Sequence, residues 1–324
     1  ELVMGEMICL ARRIFDSHDA GRRHLWTKDA TERYELKGKT LGIIGLGNIG
    51  KQVARMADAF GMDVLFYDTH IVAREVGLAL GWRSVGSLAE AFAQSDVISL
   101  HVSAEDRAGR SNRDLITPDH FASLASERGP GSPRLFLNAA RGFLYEPDDL
   151  LAAVEAGHVR AAAVDVFPEE PGSKRDAWEN PYAKEGGIVT TPHIGAATQE
   201  AQPRIARYVA RSTRLLQQYG TVRDTVYMPQ QTIGVESDAP YWTLAVVHAD
   251  ARGTRKAIAD TIYDAGVSTL QSAHRDFAAY GIAYDVSALD APLPADARDA
   301  IVDTAARLTG NDDAIRSIRQ FEVK

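Results

Sequence analysis

The sequence predicts an α/β protein: an open parallel sheet wound on both faces by helices, followed by a smaller βαββαβ module. Three observations carry this. Between Lys39 and His193, short β-rich apolar runs alternate with helical patterns, the order expected of βαβ units and a parallel sheet. The first of those runs passes directly into Gly45-Leu46-Gly47-Asn48-Ile49-Gly50, a glycine turn at the start of a helix. From Trp242 onward the pattern becomes strand, helix, strand, strand, helix, strand, the succession of a ferredoxin-like module.

At the start, Leu2, Met4, Met7, Ile8, Leu10, Ala11 and Ile14 recur at helical spacing and predict one amphipathic helix running into Arg12-Arg13 and Arg22-Arg23. Strands are expected over 41–44, 64–67, 97–102, 135–137, 161–166 and 188–190. Residues 199–219 form a long helix candidate, and the polar stretch 221–240, with scattered Gly and Pro, reads as a linker. In the last module strands are expected at 242–248, 267–273, 280–287 and 314–318, and helices at 254–265 and 296–308. The chain thus divides into a parallel-sheet domain with its leading helix (1–197), a return helix and linker (198–240) and a terminal module (241–324).

A composition of 45% apolar and 25% charged residues excludes a disordered, collagen-like or coiled-coil chain, and 324 residues suffice for two or three domains. The formal net charge of −8 argues against nucleic acid or an anionic membrane as main partner and for a small-molecule ligand. The single thiol, Cys9, excludes an intrachain disulfide and a cysteine metal cluster, and it suggests a reducing compartment, by default the cytoplasm. No residue is assigned to a metal. No apolar run approaches the roughly eighteen residues needed to cross a bilayer, and Glu1-Leu2-Val3 lacks the basic start of a signal peptide.

Each glycine of the turn has a distinct task. Gly45 permits the tight bend, Gly47 lets backbone approach a pyrophosphate, and Gly50 lets the helix pack close on the strand. A second apolar run ends in Asp68, about twenty residues after the turn, where a carboxylate receives ribose hydroxyls. This is a Rossmann-like, doubly wound dinucleotide-binding pattern. Asp68 would repel a 2′-phosphate, so NAD is favoured over NADP.

Three further clusters follow predicted strands, at the carboxyl edge where such sheets bind ligands. Asn138-Ala139-Ala140-Arg141-Gly142 offers a guanidinium that can grip a carboxylate with two parallel hydrogen bonds. Asp165-Val166-Phe167-Pro168-Glu169-Glu170-Pro171 places carboxylates among prolines, and Thr191-Pro192-His193-Ile194-Gly195 places an imidazole at a strand end.

Together with His24-Leu25-Trp26-Thr27-Lys28 and Ser99-Leu100-His101-Val102, these motifs resemble the D-2-hydroxyacid dehydrogenase family over nearly the whole chain, and within it the branch acting on 3-phosphoglycerate in serine biosynthesis. The resemblance implies hydride transfer between NAD and a small 2-hydroxy or 2-keto acid. It makes His193 the acid/base, Glu170 its carboxylate partner and Arg141 the anchor of the substrate carboxylate. It places Asp165 at the nicotinamide carboxamide and Gly45, Gly47, Asn48, Ile49, Gly50, Asp68, His101, Val102, Ala139, Ala140, Arg141, His193, Gly195 and Ala196 around the cofactor. It further implies a homodimer or homotetramer, and a small substrate domain preceding the helix at which this sequence begins.

The terminal module resembles an ACT-type regulatory domain, with His248 ending its first strand and Gly253 following. Asp250, Arg252 and Ser268 stand where that pattern has asparagine, proline and asparagine, so weak or absent binding of L-serine is expected. Two other functions fit the same motifs: the same chemistry on glycerate, lactate or a sugar-acid phosphate, or a non-catalytic scaffold that senses NADH.

Overall fold

Period-two alternation sends neighbouring side chains of a strand to opposite sides of its sheet. In the computed structural model, which describes residues 1–106, 110–173, 175–184, 186–223, 235 and 240–323, this alternation builds the core of the first unit, Glu1–Thr198. Its elements run α1 (Leu2–Arg12), α2 (Ile14–Arg22), β1 (Thr40–Ile44), α3 (Asn48–Ala59), β2 (Asp63–Tyr67), α4 (Ile71–Ala79), β3 (Arg83–Ser84), α5 (Leu88–Ala93), β4 (Val97–Leu100), α6 (Pro118–Ser123), β5 (Leu135–Asn138), α7 (Pro147–Glu155), β6 (Ala161–Val164) and β7 (Ile188–Thr190). All strand pairs are parallel and the order is β3-β2-β1-β4-β5-β6-β7. The order reverses between β1 and β4, which opens a crevice at their carboxyl ends.

Leu41 and Ile43, Val97, Leu135 and Leu137 face one side, where Met4, Met7 and Leu10 of α1 and Val53, Ala54 and Ala57 of α3 cover them. Ile44, Ile98, Leu100, Phe136 and Val164 face the other, against Phe92, Phe121, Tyr145 and Leu150. On that side Phe121, Phe136 and Tyr145 meet edge to face, with ring centroids 5.0–5.5 Å apart.

The structure corrects several sequence expectations. The opening helix is two helices, because Arg13 adopts φ 51° and turns the chain where the buried stripe ends; Ile14 is exposed beyond it. Strand β4 stops at Leu100 and β6 at Val164, so His101, Val102, Asp165 and Val166 lie in the loops that follow. Strand β3 is only two residues long and has no apolar run to announce it.

The second unit, Gln199–Lys324, contains α8 (Ala201–Tyr219), β8 (Tyr241–Ala249), α9 (Thr254–Asp264), β9 (Thr269–Phe277), β10 (Ile282–Leu289), α10 (Ala295–Thr309) and β11 (Ile315–Val323). The four strands form an antiparallel sheet in the order β11-β8-β10-β9. Leu244, Val246 and Leu289 pack beneath Ile258, Ile262 and Ile301 of the two helices. Ala245, Tyr284, Val286 and Ala288 face the other way, with Leu216 of α8 and Val222. Most of the expected linker, 224–234 and 236–239, lies outside the described residues. Strands β9 and β11 extend further toward the C-terminus than expected because cross-strand pairing continues through polar residues such as Arg275, Asp276 and Glu322, and β10 extends through Ala288 and Leu289.

Candidate active site

The glycine turn joins β1 to α3 beside the crevice. Gly45 has φ +94°, and a Cβ there would lie 2.8 Å from the carbonyl oxygen of His101 and 3.0 Å from Val102, so the turn presses on the loop after β4. A Cβ on Gly50 would come within 2.2 Å of the Gly45 carbonyl oxygen, which is the close packing of helix on strand. At Gly47 a Cβ would meet nothing within 4 Å, and no side chain caps α3. The open space over Gly47 and the uncapped first-turn amides of Asn48 and Ile49 fit a pyrophosphate. Asp68 closes the turn from β2: its carboxylate accepts from Leu46 N at 2.8 Å and from His70 N at 2.7 Å. The His101 ring sits 2.9 Å from the Ser99 hydroxyl, and burial pushes its pKa down to about 4, so it is a neutral wall.

Past β5, Asn138 shapes the arginine turn. Its amide donates to the Arg141 carbonyl at 2.9 Å, and its oxygen accepts from Ala140 N at 3.0 Å. Its buried neighbour Tyr145 belongs to the aromatic cluster, so the turn rests on the core. The Arg141 side chain returns to the Ala140 carbonyl at 2.6 Å and lines a pocket of about 270 Å³ shared with Gly142, Phe143, Phe167, Glu170 and His193. Gly142 is obligatory there, because a Cβ would stand 1.9 Å from the Phe167 carbonyl carbon.

Glu170 joins the pocket's two loops. One oxygen accepts from Phe167 N at 3.1 Å, and the other lies 2.7 Å from His193 Nδ1. A carboxylate accepts, so Nδ1 carries the hydrogen and Nε2 is free to exchange a proton. His193 has φ +53°, a left-handed conformation costing about 1–2 kcal/mol in a non-glycine residue. Asp165, expected at the nicotinamide carboxamide, holds this strained residue: its buried carboxylate accepts from Thr191 Oγ1 at 2.5 Å, Ile194 N at 2.8 Å and Gly195 N at 2.8 Å. It thereby clamps the chain on both sides of His193. Ala196 is exposed just beyond, and Ala139 and Ala140 lie in the neighbouring turn.

Glu6 of α1, which no sequence motif singles out, is buried beside this clamp, 3.4 Å from the Thr191 hydroxyl. Burial, and then the charge of Asp165, push its pKa up to about 7. An acid within the apolar stripe of Val3, Met7 and Leu10 was the available signal. A carboxyl raised from 4.5 to about 7 stabilises the fold fully at low pH, and this contribution is lost as pH rises through 7. Between about pH 5 and pH 8 the parent should therefore lose about 2–3 kcal/mol more stability than Glu6→Gln. Urea titrations of both proteins across that range check this, and parallel stability profiles would count against it.

A parallel sheet reversing its order beside a phosphate-binding turn defines the dinucleotide-binding class of α/β proteins. Residues 4–195 match the model of the D-isomer specific 2-hydroxyacid dehydrogenase, NAD binding domain, and the chain belongs to that family. It is 36% identical over 234 residues to D-3-phosphoglycerate dehydrogenase of Haemophilus influenzae, an alignment covering 72% of this chain and 53% of that one. It is 31% identical over 320 residues to D-3-phosphoglycerate dehydrogenase 2 of Saccharomyces cerevisiae, covering 95% and 65%. A glyoxylate reductase structure from Paecilomyes thermophila aligns with a TM-score of 0.53 at 31% identity, over 67% of this chain and 61% of that one. The chain spans 53–65% of the length of these curated relatives. Among the described residues, no helix is long and apolar enough to cross a membrane.

Proposed function

We propose that this chain carries the catalytic machinery of an NAD-dependent D-2-hydroxyacid dehydrogenase that interconverts 3-phosphoglycerate and 3-phosphohydroxypyruvate. The observation that carries this is the His193–Glu170 pair at 2.7 Å in one pocket with Arg141, at the carboxyl edge of the parallel sheet. NAD, when bound, supplies the hydride acceptor. The turn from Gly45 to Gly50 and Asp68 would hold it, with Val102, Ala139, Ala140, Gly195 and Ala196 around it. Arg141 grips the substrate carboxylate and orients the carbinol carbon. His193 Nε2 takes the hydroxyl proton in oxidation and returns it in reduction, while Glu170 fixes the tautomer and steadies the imidazolium formed. The names of the curated relatives support phosphoglycerate as substrate. We assign the enzyme to the cytoplasm and to serine biosynthesis.

Oxidation of NADH by the full-length protein against a panel of 2-keto acids tests this proposal. Phosphohydroxypyruvate should turn over with the highest kcat/KM. A preference for glyoxylate or pyruvate would move the substrate elsewhere in the family, and NADH binding without turnover of any acid would favour the sensing scaffold.

Glu170→Gln should lower kcat about ten- to a hundredfold. Phe167 N–H and His193 Nδ1–H are both donors, and a glutamine offers only one acceptor oxygen for the two, so a charged hydrogen bond worth roughly 1.5–3 kcal/mol is lost. Steady-state kinetics check it; an unchanged kcat would reduce Glu170 to loop structure. Asp68→Ala should narrow the preference for NADH over NADPH by about tenfold, as the charge facing a 2′-phosphate is removed. Fluorescence titration with each cofactor measures this, and an unaltered ratio would place the adenosine ribose elsewhere.

The terminal module is proposed as ACT-type, supported by its βαββαβ succession and strand order. Its role is to join subunits into a homodimer or homotetramer rather than to sense serine. Asp250 and Ser268 lack the amide donors a bound carboxylate needs, and His248 is occupied by Asp285.

A further inference from the structure

The second unit holds a cluster that the dehydrogenase chemistry does not use. Strands β8 and β9 flank β10, and the registers Ala283↔His248 and Asp285↔His274 place His248, His274 and Asp285 on the same face of the sheet. That face is the one packed under α9 and α10. His248 Nε2 and His274 Nδ1 lie 2.7 and 3.0 Å from the same oxygen, Asp285 Oδ2, and the three ligand atoms fall within 4.8 Å of one another. His248 and Asp285 are buried, and His274 is half-buried.

Hydrogen counting shows what this arrangement requires. His248 Nδ1 is 2.7 Å from the Ala249 carbonyl oxygen, which only accepts, so the ring hydrogen is on Nδ1. The neutral ring then presents the Nε2 lone pair to a carboxylate oxygen that also only accepts. Either one more proton lies between them, on the imidazole or on the carboxyl group, or a cation stands between nitrogen and oxygen. An imidazole whose far nitrogen is fixed by a backbone carbonyl is the usual state of a metal-ligating histidine. Asp285 is steadied in the same way, its second oxygen 3.6 Å from Arg255 Nε on α9. The Arg255 side chain is 62% exposed, so water screens its charge.

We propose that His248, His274 and Asp285 form a binding site for a divalent cation of the zinc class. Two imidazole nitrogens and one carboxylate oxygen are the donor set such ions take, and three protein ligands leave a position for water or a small anionic ligand. Two ligand atoms about 2.0–2.2 Å from one tetrahedral ion stand about 3.3–3.6 Å apart, so the 2.7 and 3.0 Å separations seen must open by roughly half an ångström, which side-chain rotations supply. The ion would tie β8, β9 and β10 together at the first turn of α9. The site goes beyond the proposed hydride transfer and does not depend on it.

The test is titration of the full-length, chelator-treated protein with Zn²⁺ by calorimetry and with Co²⁺ by visible absorption. One equivalent should bind per chain, with the d–d bands of a low-coordinate cobalt site. His274→Ala and Asp285→Asn should each weaken binding by at least tenfold with the circular dichroism spectrum kept. His274 lies on an edge strand, so its substitution remains informative should Asp285→Asn fail to fold. His193→Ala should leave the titration unchanged. Absence of a stoichiometric site, equal binding by His274→Ala, or loss of binding in His193→Ala would each overturn the proposal.

Discussion

Replacing His193 by Ala is expected to lower kcat by roughly 10² to 10⁴, the usual cost of removing a general acid/base, while NADH affinity stays close to that of the parent. The two effects separate because different parts of the sheet edge produce them. The imidazole meets Glu170 in the pocket beyond β6 and β7, whereas the glycine turn and Asp68 belong to β1 and β2. The substitution also keeps the backbone problem constant. Alanine at φ +53° bears about the same strain as histidine, and the Asp165 clamp on Thr191, Ile194 and Gly195 remains in place. Stopped-flow reduction of the keto acid and fluorescence titration of NADH measure the two quantities independently. Near-normal kcat would remove His193 from the chemistry, and a parallel loss of NADH affinity would show that the loop, not the ring, had been damaged.

Gly142→Ala is expected to be the most damaging change of a single methyl group. Its Cβ would lie 1.9, 2.1 and 2.5 Å from the carbonyl carbon, oxygen and Cα of Phe167. Flexible side chains can move out of such a contact, but here the obstacle is backbone. Phe167 is held by its ring against Trp178 and Tyr182 and by its N–H to Glu170. Overpacking of this kind costs about 1–3 kcal/mol or more. Relieving it must part the Arg141 turn from the Glu170 loop, so kcat/KM should fall along with the melting temperature. Gly5→Ala is the control, since nothing lies within 4 Å of its Cβ. Thermal melting and kcat/KM of the two variants decide the matter. If Gly142→Ala melted and turned over like the parent, the close approach of the two loops would be refuted.

Local sequence carried the parallel sheet because the short, largely apolar runs at 41–44, 97–102 and 135–137 bury both faces of a strand, and that requires helices on both sides. The glycine turn was legible for a similar reason: Gly45 and Gly50 answer steric demands set within a few residues or by the adjacent loop. His193, Glu170 and Arg141 were legible as motifs, each at a strand end, and they do converge on one pocket. The division of labour among the carboxylates was not legible. The family resemblance implied Asp165 as a cofactor contact, whereas its hold on Thr191, Ile194 and Gly195 depends on the path of the loop after β7.

By itself, then, the sequence determined what is periodic or local: the strand and helix pattern, the glycine turn, and the histidine, glutamate and arginine at their strand ends. Only the tertiary structure decided which distant side chains share a buried space. Glu6 and Asp165 are brought together by the packing of α1 against the sheet, and burial turns an ordinary glutamate into an acid titrating near pH 7. His248, His274 and Asp285 sit on separate strands with no ligand spacing to mark them, and they meet because the order β8-β10-β9 and its register set them on one face. Strand order and register are settled by which apolar faces must be covered across the whole unit, a global condition that no window of sequence contains.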